Sequence, residues 1–112
     1  MPKGLVLNLD GTMEVFNHES DYRELNTIVG GYIEAIDFGE KPYFCYSNEE
    51  SKLIKLEQNR VATDLWYDSG QRILIGDFIA GRVIFFGMPD NGGNDTDYPK
   101  QLLDDLKKYV SK

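Results

Sequence analysis

A chain of 112 residues, 41% apolar and 28% charged, has the make-up of one ordinary folded core, and residues 1–112 are read as a single domain rather than as a disordered segment. The formal net charge of −7, with twelve scattered Lys and Arg residues, argues against nucleic acid as a direct ligand, because phosphate binding needs a basic footprint. One cysteine and one histidine exclude an internal disulfide and a Cys/His zinc cluster, and no apolar run approaches the roughly 20 residues that cross a bilayer.

The chain opens with apolar Gly4 to Leu9, then Asp10-Gly11, then Thr12 to Phe16, the pattern of a β-hairpin closed by a two-residue turn. Met1 to Asp10 lacks the features of a signal peptide, so the expected location is the cytoplasm, without a membrane contact. Asn17 to Ser20 is polar and contains His18, read as a surface residue. Asp21 and Glu24 have the spacing of a capping box, and Tyr22, Leu25, Ile28 and Val29 follow helical periodicity up to Gly30-Gly31, whose freedom to adopt positive φ suits a helix end. Tyr32, Ile33, Ala35 and Ile36 then read as a strand.

After the turn Gly39 to Pro42 comes a second apolar strand, Tyr43 to Ser47. It holds Cys45, whose apolar neighbours suit a buried, inert thiol. The polar turn Asn48 to Lys52 leads to Leu53, Ile54 and Leu56, and the block is predicted to be a strand meander. Asn59 is placed as N-cap of a helix that aligns Val61, Ala62, Leu65 and Trp66 and ends at Asp68-Ser69-Gly70. Ile73 to Phe86 alternates apolar residues with Gly76 and Gly81, as a buried strand or hairpin bent at glycine would. Met88 to Tyr98 is loop-like, and Pro99 starts a final amphipathic helix with Leu102, Leu103, Leu106, Tyr109 and Val110 inward and Asp104, Asp105, Lys107 and Lys108 toward water. The fold expected is α+β: a mostly antiparallel or mixed sheet, opening with a β-hairpin, carrying two or three helices.

No catalytic constellation is recognisable. There is no G-x-S-x-G elbow, no Gly-Lys-Ser/Thr ending after Gly30-Gly31, and no spaced glycine triplet around Gly76 and Gly81. The acidic loop Asp90 to Asp97 places Gly92 at a calcium-ligand position and lacks the closing glutamate, so no metal and no cofactor is expected. Glu49-Glu50 reads as a solvated turn. Asn59-Arg60 with Thr63 either caps a helix and pairs with a carboxylate, or marks a ligand-facing corner.

Three segments, Val29-Gly30-Gly31-Tyr32-Ile33-Glu34, Ser47-Asn48-Glu49-Glu50-Ser51-Lys52-Leu53 and Gln58-Asn59-Arg60-Val61-Ala62, occur in order with short spacers. With the Leu5 to Gly11 hairpin and Ile75-Gly76-Asp77-Phe78-Ile79, the chain from about residue 4 to 87 resembles the domain-of-unknown-function family numbered 3846. Glu57-Gln58 stands where that family tends to have Pro before Asn-Arg, and Ser51 where it tends to have Gly, so the tight turns there are expected to differ. The resemblance implies a small protein of bacterial phages, prophages or other mobile elements.

Two functions follow as expectations. The first is a non-enzymatic accessory protein that binds a host protein to inhibit or redirect it, including an anti-defence role in which the acidic surface mimics nucleic acid. The second is a binder that sequesters a nucleotide-like small molecule, with Asn59, Arg60, Thr63, Tyr32, Tyr46 and Trp66 as candidate contacts and Arg60 on the phosphate. A sheet edge or the pair Phe85-Phe86 is the candidate contact for a homodimer.

Overall fold

The computed structural model describes residues 2–18 and 22–110. Five strands form one sheet: β1 (Lys3–Leu7), β2 (Met13–Asn17), β3 (Ile33–Asp37), β4 (Tyr43–Asn48) and β5 (Val83–Gly87). Their order is β2-β1-β5-β4-β3 and every neighbouring pair is antiparallel. Three helices complete the fold, α1 (Tyr22–Val29), α2 (Arg60–Asp68) and α3 (Lys100–Val110). The expected α+β class, opening hairpin and amphipathic last helix are all present.

Because successive strand residues face opposite sides, β5 supplies both cores. Val83 and Phe85 join Leu5, Leu7, Tyr43 and Cys45 beneath α2 and α3, which contribute Val61, Ala62, Leu65, Leu102, Leu106 and Tyr109. Ile84 and Phe86 join Val6 and Phe44 on the other face, under Leu25 of α1. The result is one helix, a sheet, and two helices in three layers. Phe85 and Phe86 are both fully buried in the central strand, which removes that pair as a dimer contact.

Local chemistry explains the connections. The hairpin loop is one residue longer than expected: the Gly11 N–H donates to the Asn8 carbonyl, the Asn8 N–H donates to the Thr12 carbonyl, and Gly11 has φ of +89°. That is a turn followed by a left-handed residue, the usual geometry of a three-residue hairpin loop. The α1 cap assigned to Asp21 lies outside the described residues. At the other end of α1, Gly30 has φ of +83°, and its N–H and that of Gly31 both donate to the Asn26 carbonyl. The buried Asn48 side chain donates to the Val29 carbonyl at 3.2 Å, tying the helix end to β4.

Five expectations are corrected. Leu53, Ile54 and Leu56 form no third meander strand: residues 51–55 are turns closed by Glu50 and Ser51 carbonyls, and Leu53 is 79% exposed. Ile73 to Ile79 is not strand either, since the ladder begins at Val83 and only a Gln58–Ala80 bridge precedes it. His18, read as a surface residue, is buried beside Phe86 with Nδ1 3.5 Å from the Glu24 carboxylate. Asp105, expected to face water, is buried; it accepts the Tyr43 hydroxyl at 2.7 Å and lies 3.6 Å from both Lys41 and Lys108. Val110, expected inward, is instead 38% exposed.

Burial pushes the Asp105 carboxyl up, but the Tyr43 hydrogen bond and the two ammonium groups outweigh it and hold its pKa below the usual range. A carboxylate with a lowered folded pKa stabilises the fold above its unfolded value of about 3.9, and that contribution disappears as pH falls through the folded value. Asp105→Asn is therefore expected to lower stability at neutral pH by about 2 kcal/mol and to lose less further stability on acidification to about pH 2.5 than the parent does. Urea titrations at both pH values measure this, and parallel acid losses in parent and variant would show that Asp105 is not the linked group.

Candidate functional site

The six residues singled out in the sequence do not converge. Asn59 is the N-cap of α2: its Oδ1 accepts the Ala62 N–H, and its side-chain amide donates to the Leu7 and Gly81 carbonyls. Thr63, one turn on, exchanges hydrogen bonds with the Ile79 backbone, its Oγ1 donating to the carbonyl at 3.2 Å and accepting the N–H at 3.0 Å. Both side chains are buried and hold α2 to the segment leading into β5. Arg60 is exposed at the start of α2, 3.4 Å from both the Asp64 carboxylate and the Tyr109 carbonyl. Capping and carboxylate pairing, one of the two readings open in the sequence, describes this corner.

The aromatics are spread around the sheet. Tyr46 lies on the α1 face, edge-on to Phe44 and Phe86, with its hydroxyl on the Asp95 carboxylate at 3.0 Å; burial, and after it the Asp95 charge, push its pKa up. Tyr32 precedes β3 and is 75% exposed. Trp66 alone of the six lines a cleft, its indole N–H donating to the Asp37 carbonyl at 3.0 Å.

That cleft has a volume of about 300 Å³ and runs beside β3, one of the two edge strands. Glu34, Ile36 and Ser47 share its floor on the α2 side of the sheet, where Cys45 also lies, and Trp66 and Phe78 stand at its walls. Lys52 pairs with Asp77 and sits over the Phe78 ring, 5.0 Å from its centre, joining the 51–55 turns to the 74–77 turn. Lys52 neutralises Asp77 at the wall, and the Glu34 carboxylate on the floor tips the balance of the lining to the acidic side.

The two turns that Lys52 and Asp77 hold together carry branched apolar side chains into water. Leu53, Ile54, Leu74 and Ile75 are all exposed, with Leu74 at 81% and Ile75 wholly so. The Tyr67 hydroxyl donates to the Asp77 carbonyl at 2.6 Å and steadies the second turn from α2. Gly70 and Gly76, with φ of +85° and +86°, flank that projecting segment, a pairing of turn glycines around three branched residues that was visible in the sequence.

Reactive groups lie elsewhere. Cys45 is wholly buried, and burial, with a smaller push from Glu34, raises its thiol pKa. His18 lines a separate hollow of about 210 Å³ with Pro2, Tyr22, Asn94 and Asp95. Among the described residues no group of three or more His, Cys, Asp and Glu is placed to hold a metal ion, and no helix is long and apolar enough to cross a membrane.

These features define an α+β domain with an antiparallel sheet, an acidic cleft along one sheet edge, and an apolar rim beside it. The chain belongs to the DUF3846 family, a domain of unknown function, whose model matches residues 2–111. No curated protein and no solved structure matches it.

Proposed function

We propose that this protein is a non-enzymatic binding module, carried by phages or other mobile elements, that captures a protein of the bacterial host in the cytoplasm and inhibits or redirects it. The observation supporting this reading is the pair of apolar turns. Fixed turns that present Leu53, Ile54, Leu74 and Ile75 to water leave unburied the kind of surface that protein partners cover. The acidic balance of the chain suits a basic partner, including a defence protein whose nucleic-acid site the surface would mimic. The nucleotide-sequestering alternative draws less support, because Arg60 is away from the cleft and the Glu34 carboxylate there repels phosphate.

The test is capture from host lysate by the parent and by a Leu74→Asp/Ile75→Asp double variant. Both residues are exposed, so the variant is expected to keep the parent's stability to within about 0.5 kcal/mol. A discrete host protein held by the parent and lost from the folded variant supports the reading. Equal capture by both, or no specific capture, rejects it. Release of the captured protein by duplex DNA at fixed salt is the result expected of nucleic-acid mimicry.

A further inference from the structure

We infer that the free edge of β3 receives an extended, lysine- or arginine-bearing peptide segment of the partner as a sixth strand of the sheet. This rests on the protein-binding reading and specifies how one part of the partner is held.

The argument begins with the phase of the β3–β4 ladder. The Glu49 N–H donates to the Tyr32 carbonyl at 2.8 Å, and the register pairs Glu34 with Ser47 and Ile36 with Cys45. In an antiparallel pair, hydrogen-bonded and non-bonded positions alternate, so Ile33, Ala35 and Asp37 turn their N–H and C=O groups away from β4. Trp66 agrees with this phase, since its indole N–H takes the outward Asp37 carbonyl. The backbone groups of Ile33 and Ala35 and the Asp37 N–H face outward from the last strand of the sheet. Such a row of alternating donors and acceptors matches another extended backbone, and main-chain pairing of this kind is a recurring mode of peptide capture.

The surroundings choose among extended chains. Ala35 and Asp37 both border the 300 Å³ cleft, so the outward groups open into a space that admits a short run of chain. Alternate side chains of an added strand would point to the α2 side, toward Glu34 and the Trp66 ring. A lysine or arginine there gains both carboxylate and aromatic partners. A second copy of this chain is the poorer occupant, because its β3 carries Glu34 and Asp37 and brings no Lys or Arg to meet the Glu34 carboxylate.

The probe is a displayed library of random linear 12-residue peptides, selected on the folded protein. The expected binders alternate Lys or Arg with branched residues, protect the Ile33, Ala35 and Asp37 amides from hydrogen exchange, and lose at least tenfold in affinity when their own alternate backbone nitrogens are methylated. Ala35→Pro is the matching change in the protein: it removes an outward N–H and spares the bonds to β4, so a tenfold loss with an unchanged β3–β4 exchange pattern is expected. Should the variant misfold, the methylated peptides decide the matter alone. The inference is overturned if no peptide is enriched, if methylation leaves affinity unchanged, or if light scattering shows a dimer whose contacts protect the same amides. The two readings also separate: host capture that survives Ala35→Pro but is lost in Leu74→Asp/Ile75→Asp removes the strand and keeps the binding module.

Discussion

Asn59→Ala is expected to lower the unfolding free energy by about 3 kcal/mol, read as a shift of the urea midpoint with little change in slope. The side chain is fully buried and joins three separate pieces of chain: the first turn of α2 through the Ala62 N–H, the end of β1 through the Leu7 carbonyl, and the approach to β5 through the Gly81 carbonyl. Loss of an N-cap alone typically costs about 1 kcal/mol. The remainder arises because the two carbonyls lose a donor in a site that alanine cannot refill. Asn59→Asp separates the contributions, since it keeps the cap acceptor, removes the amide donor and places a carboxylate beside two carbonyls. An alanine variant within about 1 kcal/mol of the parent would mean that water or a shifted backbone satisfies both carbonyls.

Phe85→Ala is expected to cost about 4 kcal/mol, the upper part of the range for truncating a buried aromatic. Phe85 is wholly buried in the central strand, with its ring edge-on to Phe38 and Tyr43 at centroid distances of 5.3 and 6.1 Å. The void would open where the sheet meets α2 and α3, in the cluster that also holds Leu5, Leu65 and Leu102, whose close packing allows only partial collapse. Natural domains of this size have only about 5–15 kcal/mol in total, so the variant should unfold well below the parent's melting temperature. Phe85→Leu, which restores most of the volume, is expected to recover more than half of the loss. Thermal melts by circular dichroism measure both, and a small loss in the alanine variant would require a neighbour such as Phe38 to fill the space.

Signals carried by neighbouring residues were legible in the sequence. The Asn59 cap, the glycine ending α1 and the Leu102–Leu106–Tyr109 stripe each depend on chemistry within a turn or two of helix. The misread stretches were those whose burial depends on distant chain. Ile73-Leu74-Ile75 and Leu53-Ile54 have strand-like composition, yet among the described residues no strand pairs with them and both project into water. Asp105 sits on what looks like the polar face of α3 until Tyr43 and Lys41, more than sixty residues earlier, are placed beside it. The cleft was invisible for the same reason. It is assembled from β3, α2 and the two turns, and only Trp66 among its lining had been named as a candidate contact.

The strand order also has a bearing on how the chain matures. In the sheet, among the described residues, the hairpins β1–β2 and β3–β4 meet only through β5, which enters after residue 82 and pairs with both. Two-stranded ribbons are marginal in water by themselves. During synthesis, then, the two hairpins are made before the strand that joins them into one sheet, and their apolar faces stay open until β5 follows. Ribosome-held chains stopped just before and well beyond β5 should differ sharply in protease resistance. A single late strand makes the assembly of this sheet an all-or-none event that waits on β5.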